Sequence, residues 1–214
     1  MCFSATASFT AAGGLALIGA ATVAARPSRR MIPFAAVPLI FSVHQAIEGA
    51  IWLGVHDGEP AQALVKAWLF IAEVFWPIYV PLAVLILTEG RRRRQGLTAL
   101  LAAGVVVSAY FLTILMQSDF TAEAVRGNLR YSADEPVAHS LPGLYVLSTV
   151  APLLIARERF VLLFGVAVLI GAAVTEIFFL HAGPSVWCFF AAVASLCAFL
   201  AVREEASARK IVHM

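Results

Sequence analysis

The sequence predicts an all-α polytopic membrane bundle of seven transmembrane helices, built as a single domain over residues 1–214. Three observations carry that expectation. Seven long apolar runs divide the chain, its residues are 61% hydrophobic and 13% charged, and twelve of its fifteen Lys and Arg residues fall in every second gap between the runs. Soluble domains carry about 25% charged residues, and a mean hydropathy of +0.89 lies far from them as well.

The runs cover about 7–25, 31–54, 61–88, 96–116, 138–156, 160–180 and 184–202. As helices they are long enough to cross a hydrocarbon core of roughly 30 Å. Lys and Arg in short loops stay on the cytoplasmic face. Arg26, Arg29 and Arg30 follow the first run, Arg91 to Arg94 the third, Arg157 and Arg159 the fifth, and Arg203, Arg209 and Lys210 the seventh. The opposite gaps hold Lys66, Arg126 and Arg130 beside the acids Asp57, Glu59, Asp119, Glu123, Asp134 and Glu135. The N-terminus is therefore expected outside a cell membrane and the C-terminus in the cytoplasm.

The first run is expected to stay in the protein as a helix. Ala20, Ala21, Ala24 and Ala25 would suit a signal-peptidase site, but no basic residue precedes the run and three arginines follow it, the reverse of a signal peptide. The longest connection, about 117–137, is expected to form a small lid or surface helix on the outer side. The lipid bilayer is the partner that this composition implies. A net charge of +2 is a topology signal and gives no reason to invoke nucleic acid.

Ionisable groups inside apolar runs are informative, because a charge at bilayer centre costs at least about 2.5–3.5 kcal/mol. Glu48, Glu73 and Glu176 are the three carboxyl groups so placed. In the second run, steps of four align His44, Glu48 and Trp52 on one helical stripe, about 6 Å apart per step, with Gln45 on its border. With the runs alternating in direction, Glu176, His139, His181, Trp187 and Cys188 fall towards the outer side and Glu73 near mid-membrane.

That convergence leads to an expected outward-facing polar pocket lined by His44, Gln45, Glu48, Glu73, Glu176 and Trp52, taking a proton, cation or small polar ligand. A metal site is the alternative, built from His44, Glu48, Glu176, His139, His181 and Cys2, whose imidazole, carboxylate and thiolate groups suit zinc or copper. No close-spaced metal motif supports it. Binding or transport, a metal-dependent hydrolase or redox enzyme, and a structural partner subunit all remain open at this stage.

Other features belong to the same region. Pro77 and Pro81 fall beside Glu73, and Pro33 and Pro38 early in the second run; each removes a backbone donor and frees a carbonyl one turn back. Trp52, Trp68 and Trp187 read as an aromatic belt at the outer boundary. Cys2 and Cys188 both fall near the outer surface, where an oxidising compartment would permit pairing. Cys197 reads as a small apolar filler. Removal of Met1 would leave an amine and a thiol together on Cys2, a potential chelate or nucleophile.

The opening Met1-Cys2-Phe3-Ser4-Ala5-Thr6-Ala7-Ser8-Phe9, the segment Gln45-x-x-Glu48-Gly49-x-x-Trp52 and the late Ser185-Val186-Trp187-Cys188-Phe189 together resemble an uncharacterised family of small multi-pass membrane proteins of bacteria and fungi. The resemblance spans nearly the whole chain and implies a multi-pass architecture. It implies no activity, cofactor or catalytic residue. In that family pattern Gln often stands at the place of His44, which favours Glu48 over His44 as the functional group. Seven helices with an outside N-terminus also resemble the alkaline ceramidase and adiponectin-receptor hydrolases, but the last run lacks their histidine pair, and it has no lysine for a retinal Schiff base.

Overall fold

The computed structural model describes residues 4–58, 60–133, 141–178 and 183–212. Six helices in it are long and apolar enough to cross a membrane: Ala5–Ala24, Ile32–Asp57, Gln62–Leu87, Arg91–Gln117, Arg159–Phe178 and Ser185–Arg209. A shorter apolar helix covers Gly143–Ile155. Each lies on one of the apolar runs; the helix on the fifth run is the short one, and that on the seventh continues to Arg209.

The elements in chain order are α1 (Ala5–Ala24), α2 (Ile32–Ala35), α3 (Val37–Asp57), α4 (Gln62–Leu69), a π-helical segment (Phe70–Phe75), α5 (Trp76–Leu87), α6 (Arg91–Gln117), β1 (Phe120–Val125), β2 (Asn128–Ala133), α7 (Leu141–Ile155), α8 (Arg159–Phe178), α9 (Gly183–Ala194) and α10 (Leu196–Val212). Helix α1 begins two residues before the expected start, because Ser4 caps it by accepting from the Ala7 N–H at 3.2 Å. It packs along α3 and against α10, while α5, α6, α7 and α8 form the other side and α9 joins α8 to α3.

The prolines act in two ways. Pro33 and Pro38 sit in the first turns of α2 and α3, positions that tolerate a missing N–H, so the second run, Ile32–Asp57, is interrupted only at Ala36, near its start. The third run is deformed as expected beside Glu73, and the deformation is a π-helical turn ahead of Pro77. Pro81 removes the N–H that would take the Pro77 carbonyl in a regular helix. That carbonyl lies against α6 at Gly104, where a Cβ would fall 1.9 Å from its oxygen.

Of the two forms expected for the connection between α6 and α7, a small lid or a surface helix, the described residues do not form the helix. They form an antiparallel hairpin, with Val125 opposite Asn128 and Glu123 opposite Arg130. Its two-residue turn, Arg126-Gly127, has φ of 51° and 79°, the pair of positive angles that matches the twist of flanking strands. Phe120, Thr121, Val125 and Tyr131 are strand formers, a signal that hydropathy does not register. Tyr131 stacks on Trp68 at 4.2 Å between ring centroids, and Trp68 on His44 at 4.6 Å, which fastens the hairpin to the helices.

Two buried clusters result. One holds Phe34, Phe41, Trp76, Val84, Leu97, Val161, Phe164 and Val202, the other Ile51, Trp52, Trp68, Leu115, Leu129 and Cys188 under the hairpin. Trp52 and Trp68 are 3% and 0% exposed. Neither belongs to an aromatic belt, because the hairpin covers them. Basic segments meet at one end of the bundle: Arg30 pairs with Glu89, and Arg209 donates to the Arg26 carbonyl at 2.7 Å.

The approach of α6 to Pro77 generates a prediction. Gly104→Ala should destabilise the protein by about 1–3 kcal/mol through overpacking against backbone, read as a lower thermal midpoint in detergent. Gly96→Ala on the same helix, with open space at its Cβ, should leave the midpoint unchanged or raise it; equal effects would show that α6 does not need this contact.

Candidate functional site

The structure divides the expected pocket in two. The α3 stripe is inward, with His44, Gln45, Glu48 and Trp52 all no more than 3% exposed. Glu48 is closely held. Ser185 at the start of α9 donates its hydroxyl to Glu48 Oε1 at 2.6 Å, and Gln45 donates Nε2 to Oε2 at 3.2 Å. Ser185 is itself 0% exposed. A Cβ on Gly49 would lie 2.9 Å from the ring of Phe9, so α1 seats directly beside this cluster. The three segments that carry the family resemblance, from widely separated parts of the chain, therefore meet at Glu48 and Gly49.

His44 serves the backbone. Its Nε2–H donates to the Trp68 carbonyl at 3.1 Å, which places the lone pair on Nδ1, and among the described residues that atom has no partner. Two further side chains reach the same irregular helix: Tyr145 of α7 donates to the Ala72 carbonyl, and Ser108 of α6 to the Val74 carbonyl at 2.6 Å. Ala72 lies five residues before Pro77, the spacing at which a π-helix would call on the N–H that proline lacks. Satisfying these carbonyls is required where no water can do so.

Glu73 and Glu176 lie elsewhere, in the walls of one cavity of about 770 Å³. That volume is within the roughly 300–1,000 Å³ range of ligand pockets. Its described lining comes from the π segment (Ala72, Glu73), α6 (Phe111, Leu115), the hairpin (Phe120, Tyr131), α7 (Gly143, Tyr145), α8 (Ala172, Ala173, Thr175, Glu176) and α9 (Trp187, Cys188). Gly143, Leu169, Ala173 and Glu176 are exposed, which marks the opening between α7 and α8. Among the described residues neither Glu73 nor Glu176 has a hydrogen bond or ion pair. Thr175 is 5% exposed, and its hydroxyl is also without a partner among them.

The expected pocket is corrected accordingly. His44, Gln45, Glu48 and Trp52 do not line the cavity: the His44 ring stacks on Trp68 and bonds its carbonyl, Glu48 is held by Gln45 and by Ser185 of α9, and Trp52 is buried in the cluster under the hairpin. Glu73 and Glu176 do line it, with Trp187 and Cys188, which share a helix with Ser185. Cys2, His139 and His181 lie outside the described residues. Among the described residues no three His, Cys, Asp or Glu side chains are grouped to hold a metal ion. Tyr131, Tyr145 and Thr175 are lining residues that charge and hydropathy did not single out; the only sequence signal for Tyr145 is a phenol in an apolar run, which needs an acceptor when buried.

A sequence profile of known families matches residues 1–212. The chain belongs to a family of unknown function, DUF6629. Membership agrees with the resemblance read from the three motifs and brings no activity with it. No curated protein and no solved structure matches the chain.

The two acids differ in what surrounds them, and substitution should separate them. Glu48→Leu leaves the donors of Gln45 and Ser185 buried without their acceptor and should cost about 1–3 kcal/mol. Glu73→Leu removes an unpartnered acid from an apolar wall and should leave the thermal midpoint unchanged or raise it. A large loss in Glu73→Leu alone would reverse the assignment.

Proposed function

We propose that this family member is an integral membrane protein of seven crossings, N-terminus outside and C-terminus cytoplasmic, that takes a small ligand into the cavity bounded by the π segment, α6, α7, α8 and α9. Glu73 and Glu176 hold the ligand. One observation carries the reading: two carboxyl groups with no partner among the described residues face a single ligand-sized cavity. A retained acid in an apolar setting costs stability unless something engages it, and Glu48 illustrates the other outcome, an acid whose protein partners are complete.

The topology draws support from the basic segments at one end and from the alternating gaps. On that topology the cavity lies in the outer half, under the hairpin that covers α4 and α9. Binding, with or without passage across the membrane, accounts for it better than catalysis. The described lining is mostly apolar and aromatic, and no three His, Cys, Asp or Glu side chains among the described residues are grouped to hold a catalytic metal; such a wall suits the holding of a ligand.

Labelling tests both topology and cavity. Ala172→Cys should gain one adduct over the parent protein when a membrane-impermeant maleimide is added to the outer side of sealed vesicles, counted by mass spectrometry. Val202→Cys, fully buried near the basic end, should gain none. Labelling of Ala172→Cys only from the cytoplasmic side, or no labelling in open membranes, would overturn the proposal.

A further inference from the structure

We infer that the ligand of this cavity is a bulky organic cation, an apolar body carrying one positive charge; the inference rests on the binding reading above and names its ligand class. Charge comes first. The described lining contains two carboxyl groups and no Lys, Arg or His, so the walls favour a positive guest and oppose an anion. The Thr175 hydroxyl, 5% exposed and without a partner among the described residues, adds a polar atom beside Glu176 on α8.

The rest of the wall decides what kind of cation. A calcium ion requires about six to eight oxygen ligands at roughly 2.3–2.6 Å, which two carboxyl groups in a space of about 770 Å³ do not supply, and no three His, Cys, Asp or Glu side chains among the described residues are grouped to hold a metal of another kind. The Tyr145 hydroxyl is already committed to the Ala72 carbonyl. What the wall does supply is aromatic surface: Phe111, Phe120, Tyr131, Tyr145 and Trp187. Tyr145 meets Trp187 at 5.4 Å and Phe111 at 6.4 Å between centroids, both edge to face. Aromatic faces attract weakly hydrated organic cations at about 0.5–2 kcal/mol per contact, and they pack an apolar body equally well.

The opening is consistent with such a guest. It lies beside α8, where the lining residues Leu169, Ala173 and Glu176 are exposed, so an amphiphilic molecule meets both an apolar edge and a carboxyl group at the mouth. Each carboxyl group then meets the charge while the rings receive the body.

Radiolabelled tetraphenylphosphonium and its anionic counterpart of like shape, tetraphenylborate, provide the test, with the full chain in nanodiscs of zwitterionic lipid. The phosphonium should show a single saturable site and the borate none. Glu73→Gln and Glu176→Gln should each weaken phosphonium binding roughly tenfold, the equivalent of about 1.4 kcal/mol, without altering elution or thermal midpoint. Glu123→Gln, on the exposed hairpin pair, should change nothing. Equal binding of both ions, or phosphonium binding that survives the double Gln variant, would overturn the inference. If neither ion binds while Ala172→Cys is labelled from outside, the cation assignment falls and the cavity reading stands; without that labelling both fall.

Discussion

The interrupted backbone of the third long helix is the constraint on which the remaining arrangement depends. A π-helical turn runs into Pro77 and Pro81, so the Ala72 carbonyl loses the N–H that π spacing would offer and the Pro77 carbonyl the one that α spacing would offer. Side chains from α3, α6 and α7 converge on this helix: His44 donates to the Trp68 carbonyl just ahead of the turn, Tyr145 to the Ala72 carbonyl and Ser108 to the Val74 carbonyl. Three helices are thereby tied to one irregular segment. The approach of α6 is closer still, because Gly104 lets its backbone rest on the Pro77 carbonyl.

Deformation also places Glu73. A π-helical turn inserts an extra residue into the helical repeat, and Glu73 sits within it, directed to a cavity instead of a neighbouring helix. Such turns recur at functional sites for this reason: they aim a side chain that regular spacing would bury. The same segment thus supplies one wall of the cavity, with Tyr145 serving both as backbone donor and as part of the lining.

Glu48 and Glu73 show two fates for an acid inside an apolar bundle. Both oxygens of Glu48 accept hydrogen bonds from side chains, and its neighbours Phe9 and Gly49 bring α1 into contact. That cluster joins the beginning, middle and end of the chain and acts as a fastening. Glu73 and Glu176 have no such set among the described residues and line the cavity instead.

Read from the residues alone, the seven apolar segments, the basic end of the bundle and the identity of the intramembrane acids are all legible, because hydropathy and loop charge act residue by residue and need no knowledge of neighbours. The proline-linked irregularity near Glu73 is legible for the same local reason. Grouping was not. Steps of four put His44, Glu48 and Trp52 on one face, yet nothing local says that this face meets Ser185, 137 residues away, or that the Tyr145 hydroxyl reaches a carbonyl 73 residues before it. Only the tertiary structure decided which acids were satisfied and which faced a cavity, since each partner comes from another helix and a hydrogen bond forms only where packing brings donor and acceptor together.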